Sequence, residues 1–171
     1  ADLGEARGAP SSIEIPPAGV QRDEGDRGEA AHTEAVRGAR EVVDEARVHA
    51  ERFASNKDAS AAWLADASAC WDRIGEIARA GGASSGDAFA RAAEMRRMAR
   101  DRAPDDARHA RGLAAALVKQ GDAALEANEN AIARAALSES TMIRLKLLEA
   151  APTDRTATHA LAVALERLGL A

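Results

Sequence analysis

The sequence predicts an all-α chain of about six helices, stacked as successive hairpins. Three observations carry this expectation. Apolar residues recur at spacings of three and four from about Glu29 to the C-terminus, the period of one helix face. No alternating apolar run exceeds the few residues around Ile13 to Ile15, so a half-buried strand has little to be built from. Proline, glycine and cap-forming residues also return at an interval of about 48 residues, the mark of a repeated supersecondary unit.

Residues 1–28 stand apart. They hold Gly4, Gly8, Gly19, Gly25, Gly28 and three of the five prolines (Pro10, Pro16 and Pro17), which resist a regular helix. The stretch reads as a linker, or as an extended arm laid into a groove of the helical body. From Glu29 the helical pattern sets in. Val36, Ala39, Val43, Ala46, Ala50 and Phe53 form one narrow stripe on a helix ending near Ala54. Trp63, Ala67, Trp71, Ile74 and Ala78 share a face of a second helix, stopped by Gly81-Gly82. Phe89, Ala92 or Ala93 and Met95 to Met98 mark a third. Pro104 closes that helix, and Asp105 or Asp106 can cap the next. Leu113, Leu117 and Ala124 give a fourth helix, stopping near Asn128. Ile132, Leu137, Ile143 and Leu147 give a fifth, ended by Pro152. Thr153 or Asp154 can cap a sixth, with Leu161, Leu165 and Leu168 as its apolar face.

The repeat is the strongest signal. Pro104 and Pro152 are 48 residues apart, as are Gly121 and Gly169, and each proline precedes its glycine by 17 residues. Between them the run Gly112 to Gly121 overlays Ala160 to Gly169 in side-chain type, and Asp66 to Gly75 is an earlier copy. Gly82 and Asn128, the residue types that best tolerate a left-handed cap, each fall seven after the anchoring glycine. A glycine inside a helix costs up to about 1 kcal/mol relative to alanine. Gly75, Gly121 and Gly169 are therefore expected where a neighbouring helix rests in the space a side chain would fill.

On these residues the chain resembles the tetratricopeptide repeat family. It is most similar to the long bacterial variant, with a Leu-x-x-x-Leu-x-x-Leu-Gly-Asp core and an Asp-Pro-x-x-Ala-x-Trp boundary. Leu113 to Asp122 carries the core, and Trp63 falls twelve before Gly75, where that variant places its tryptophan. Two departures are plain: Gln120 replaces the apolar residue before the glycine, and Ala157 replaces the boundary tryptophan. The resemblance covers about residues 34–171. It implies a right-handed superhelical stack of antiparallel helical hairpins: a half repeat at 29–57, repeats at 58–103 and 104–151, and a closing helix at 152–171. Gly75, Gly121, Gly169, Pro104, Pro152 and Trp63 are its structural anchors.

Composition bounds the function. A net charge of −5 with charges of mixed sign gives no overall pull toward nucleic acid or anionic membrane. No apolar stretch approaches the roughly 20 residues of a membrane span. The single cysteine, Cys70, excludes an internal disulfide and fits a reducing compartment, hence the cytoplasm. Heavy use of arginine and alanine points to a GC-rich bacterial genome. The absence of an initiating methionine suggests a processed or excised piece.

Motifs for chemistry are weak. Glu29-x-x-His32 and Asp106-x-x-His109 have the carboxylate–histidine spacing of metal-binding bundles, but such bundles need two inward pairs and two further carboxylates. Both pairs lie near helix starts or turns, and Glu45 and His49 read as a surface pair. Cys70 has no histidine nearby in sequence and reads as a small packed thiol. Gly81 to Gly86 lacks the strand and lysine of a phosphate loop. Arg91, Arg96, Arg97, Arg100, Arg102, Arg108 and Arg111 cluster with interleaved acids, as a solvated face of local ion pairs or as a receiver of an acidic ligand.

No catalytic, cofactor-binding or metal-binding residue is therefore expected. The expected role is a scaffold or adaptor that binds a protein or peptide partner, another domain of the same parent protein included, and neither nucleic acid nor membrane. The family resemblance implies that the first helices of each hairpin (about 59–80, 105–127 and 154–169) line a curved inner surface. Candidate contacts on them are Asp66, Arg73, Arg111, Lys119 and Arg167. Among these Arg73, Lys119 and Arg167 occupy equivalent repeat positions and should form one ridge. A sensor or regulatory arm of a larger protein with nucleotide-hydrolysing or protease activity elsewhere is the alternative, and a metal-dependent helical enzyme a remote one.

Overall fold

The structure is a computed structural model that describes residues 34, 37, 41, 44–52, 55, 56 and 58–171. The expectations for residues 1–28, for Glu29 and His32, and for most of the first apolar stripe lie outside the described residues. Two units are distinguished, Ala1–Gly38 and Ala39–Ala171. In the first, Glu34 and Arg37 form an exposed ion pair one helical turn apart.

The second unit is all-helical among the described residues, with six helical segments and no strand. They are α1 (described over 44–52), α2 (Ala61–Ala80), α3 (Gly86–Arg102), α4 (Ala107–Glu126), α5 (Asn130–Ala150) and α6 (Arg155–Gly169). Helix starts are written in the sequence. Ser60 Oγ accepts from the backbone N–H of Trp63 at 3.2 Å. Asp106 accepts from the N–H of Arg108 at 2.9 Å, and Asp154 from those of Thr156 and Ala157 at 2.8 and 3.2 Å. Each satisfies donors that the first turn leaves unpaired. Of the paired options at each start, Asp106 and Asp154 are the caps.

The stops are equally regular. Gly82 and Asn128 both adopt positive φ, 71° and 61°. In each case the following N–H reaches back five residues, Ala83 to Ala78 O and Glu129 to Ala124 O, both at 2.8 Å. This is the Schellman geometry, and it uses the left-handed conformation that glycine and asparagine tolerate best. Before the two prolines, Ala103 (φ −140°, ψ 70°) and Ala151 (φ −141°, ψ 72°) leave the helical region in the same way. Steric conflict with the proline ring drives the preceding residue out of the α conformation. Two kinds of turn therefore alternate along the chain, each recurring with the same backbone.

Each helix from α2 onward packs most extensively on its neighbours in sequence, while α4 also touches α2 and α6. One apolar cluster joins α1, α2 and α3 through Ala50, Leu64, Trp71, Ile74, Ala92 and Met95. A second joins α3, α4 and α5 through Ala93, Leu113, Leu117 and Ala136. Consecutive residues Ala92 and Ala93 thus serve opposite sides of α3. Most buried apolar residues are alanines, which allow helix axes to approach closely.

The glycine anchors show what that closeness requires. A Cβ on Gly75 would lie 2.7 Å from the Phe89 ring, and one on Gly121 would lie 2.6 Å from Leu137 Cγ. Phe89 and Leu137, 48 residues apart, are both essentially fully buried. Gly169 departs from the expectation. Nothing stands within 4 Å of its Cβ position, because it ends α6 and no described helix follows to press against it.

Packing also corrects several core assignments. Trp63 is 48% exposed, and its neighbour Leu64 takes the core position because the buried arc of α2 centres on Leu64, Ala67, Trp71 and Ile74. Ile132 and Leu165 are about half exposed, while Ala133, Ala136 and Ala164 are buried instead. Where helices meet closely, the contact line selects the small residue and turns the bulkier neighbour outward. Cys70 is exposed rather than packed.

Two stability predictions follow from this packing and capping. Gly121→Ala and Gly75→Ala should each destabilise by about 1–3 kcal/mol through overpacking. Gly169→Ala should be neutral or stabilise by up to about 1 kcal/mol. Urea denaturation of the three variants checks both, and equal effects at all three would contradict the geometry. The Asp106 carboxyl is held down to about 2 by the Arg108 side chain and backbone N–H. Its capping contribution is therefore fully present above its ordinary value of 3.8 and is lost as pH falls toward about 2. Asp106→Ala should lower Tm by a few degrees at neutral pH, and thermal melts should show the gap from the parent chain closing between those two pH values.

Candidate functional site

The cations singled out from the sequence do form a series, and their partners explain it. Lys119 on α4 reaches back to α2, with Nζ 2.9 Å from Glu76 Oε1 and 3.4 Å from Asp72 Oδ2. Arg167 on α6 reaches back to α4, with Nε 3.6 Å from Asp122 Oδ1. Cation and acid both recur at similar sequence intervals, so the pairs tie α2 to α4 and α4 to α6. Arg79 and Glu126 add a second α2–α4 pair at 3.2 Å. Arg73 pairs with Glu76 on its own helix at 2.9 Å. Asp66 is exposed on α2 and makes no ion pair among the described residues. The Lys119 ammonium holds the Glu76 carboxyl below its usual range, chiefly by hydrogen bonding and then by charge.

The ridge and the glycine anchor are one structure. Arg79 and Lys119 both sit over the Phe89 ring, 5.0 and 5.9 Å from its centroid. The ring that fills the Gly75 notch thus carries two cations on its face.

A cavity of about 210 Å³ opens where α4, α5 and the start of α6 meet. Ala114, Ala115, Leu147, Ala157 and Ala160 give it apolar walls, and Arg111 and Arg144 supply positive charge. Arg111 Nη2 lies 3.9 Å from Asp154 Oδ2, a long pairing. The half-buried Arg144 donates from Nε to Ser140 Oγ at 3.2 Å and makes no ion pair among the described residues. Ser140 is itself fully buried and donates to the Ala114 carbonyl at 2.8 Å. Desolvation pulls the Arg144 guanidinium below its ordinary pKa.

Arg144 has a counterpart 48 residues earlier. Arg96 Nε donates to Ser68 Oγ at 3.1 Å, and its guanidinium lies against Gly112, where a Cβ would come 3.0 Å from Nη1. Arg96, on α3, was singled out from the sequence only as one of the arginine cluster, and Arg144, on α5, was missed. Their 48-residue spacing was the available signal.

The remaining arginines disperse into local pairs. Arg91 joins Glu94, Arg97 joins Glu139 on α5, Arg100 joins Asp101, Arg108 joins Asp106, and Arg102 donates to the Ala59 carbonyl. They do not converge on one receiving site. His109 Nε2 lies 3.9 Å from Asp106 Oδ2, and no group of metal-ligating side chains is assembled among the described residues. No described helix is long and apolar enough to cross a membrane.

Comparison with family models, with curated proteins and with solved structures finds no match.

The exposed inter-helix pairs should each contribute little alone. A double-mutant cycle on Glu76→Gln and Lys119→Met should give a coupling of about 0.2–1 kcal/mol, shrinking as salt is raised. A coupling above about 2 kcal/mol that is insensitive to salt would show that this pair is far more desolvated than its exposure implies.

Proposed function

We propose that this chain is a non-catalytic scaffold that binds a polypeptide partner across its first helices, α2, α4 and α6, in a tetratricopeptide-like stack of antiparallel hairpins. The observation that carries the reading is the recurring link between those helices. Lys119 to Glu76 and Arg167 to Asp122 join α2 to α4 and α4 to α6 at equivalent positions. The same alternation appears in the paired Schellman turns and in the paired turns before proline. Helices joined side by side in this way present a continuous surface, the kind of face on which stacked repeats engage extended partners.

Three of the five candidate contacts, Arg73, Lys119 and Arg167, are engaged in intramolecular pairs. Asp66 and Arg111 keep most of their charge available, which makes them the better contacts for a partner. A cytoplasmic setting accompanies this reading, since an exposed lone thiol such as Cys70 suits a reducing compartment.

The test is quantitative affinity capture with the full chain and two variants. Asp66→Lys combined with Arg111→Glu should reduce enrichment of bound proteins by about tenfold or more, the size expected for lost charge complementarity. Met142→Glu, on the exposed side of α5, should leave capture intact. Undiminished capture by the Asp66/Arg111 variant, with its helical circular dichroism preserved, would overturn the assignment of this face.

A further inference from the structure

The cavity between α4, α5 and α6 goes beyond a flat docking face. Its walls are apolar, yet Arg144 within it has no counter-ion among the described residues. Arg111 shares Asp154 at the long distance of 3.9 Å, and Asp154 is already committed to capping α6. Two guanidinium groups against one carboxylate leave a net charge of about +1 at the mouth of an apolar hollow. A half-buried charge without a partner is costly, and the cost is relieved by an anion that can enter.

The preceding junction shows why the hollow occurs at this point. The residue 48 before Ala157 is His109, whose side chain is only 14% exposed, and the residue 48 before Ala160 is Gly112, covered by Arg96. At the later junction a methyl group stands where the imidazole stood, so Arg144 borders open space. Ala157, in the place His109 holds one repeat interval earlier, is therefore the residue that makes room.

We propose that this cavity is a binding site for a small amphiphilic monocarboxylate, with its aliphatic or aromatic body between Ala115, Leu147, Ala157 and Ala160 and its carboxylate on Arg144 and Arg111. The charge balance selects a monoanion. The predominantly apolar lining disfavours a strongly hydrated phosphate or sulfate, and the planar guanidinium fork matches a carboxylate in a way an ammonium cannot. With Nε committed to Ser140, the two Nη groups of Arg144 remain to meet both carboxylate oxygens.

The probes are 3-phenylpropionate and 4-methylvalerate, with 3-phenylpropionamide as the uncharged control, titrated into the full 171-residue chain and followed by ligand-observed NMR. At least one acid should bind saturably, and the amide should bind at least about tenfold more weakly, as expected for loss of a charge-assisted pair. Arg144→Gln should weaken the acid to the level of the amide. Ala157→Trp should abolish binding by filling the hollow while leaving both arginines in place. Circular dichroism identifies any variant that has merely unfolded, and either variant alone is sufficient to test the site. Absence of saturable binding by both acids, equal binding of acid and amide, or unchanged binding in a folded Ala157→Trp chain would each overturn the proposal. Partner capture, which reads the scaffold assignment, is measured separately and does not depend on these outcomes.

Discussion

The architecture depends on two side chains that occupy space left by two missing ones. Phe89 and Leu137 enter positions where Gly75 and Gly121 lack a Cβ, at separations no real side chain on those glycines would permit. Both are deeply buried, so neither can move aside without opening the core around it. The glycines are poor helix formers, and their cost is accepted because contact between α2 and α3, and between α4 and α5, is closer than any other residue would allow. The alanine-rich remainder of the interface follows from that distance.

Around this apolar insertion the polar surface is arranged to match. Arg79 and Lys119 lie over Phe89, and Lys119 also bridges to Glu76 and Asp72. Lys119 thus takes part in two contacts: α4 with α3 through the ring, and α4 with α2 through the acids. Exposed ion pairs of this kind add little free energy individually. Their recurrence at Arg167 and Asp122 shows the device applied again at the next junction.

The junctions are alike in backbone and differ in what fills them. Arg96 is held by Ser68 and covers Gly112, while Arg144, its counterpart, borders a hollow bounded by Ala157 and Ala160. Junctions with the same backbone can therefore differ in whether a hollow is left between their helices. One small residue in place of a large one is enough.

Helix class, number of segments, the caps to within the pairs Asp105/Asp106 and Thr153/Asp154, the left-handed stops at Gly82 and Asn128 and the breaks before Pro104 and Pro152 were legible in the sequence. These depend on local backbone sterics and on hydrogen bonds spanning a few residues, which neighbouring residue types dictate. The seating of Gly75 and Gly121 was legible for the same reason, since a costly residue in a helix calls for a compensating contact. The centres of the buried faces were legible as well, through Trp71, Ile74, Phe89, Leu113, Leu117 and Leu137, but tertiary structure decided their edges, turning Trp63, Ile132 and Leu165 outward in favour of Leu64, Ala133 and Ala164. It also decided that Gly169 stands open and that Arg144 lacks a counter-ion among the described residues while Arg73, Lys119 and Arg167 have theirs. Those outcomes depend on where another helix's surface falls, a distance set by packing across tens of residues that no local pattern encodes.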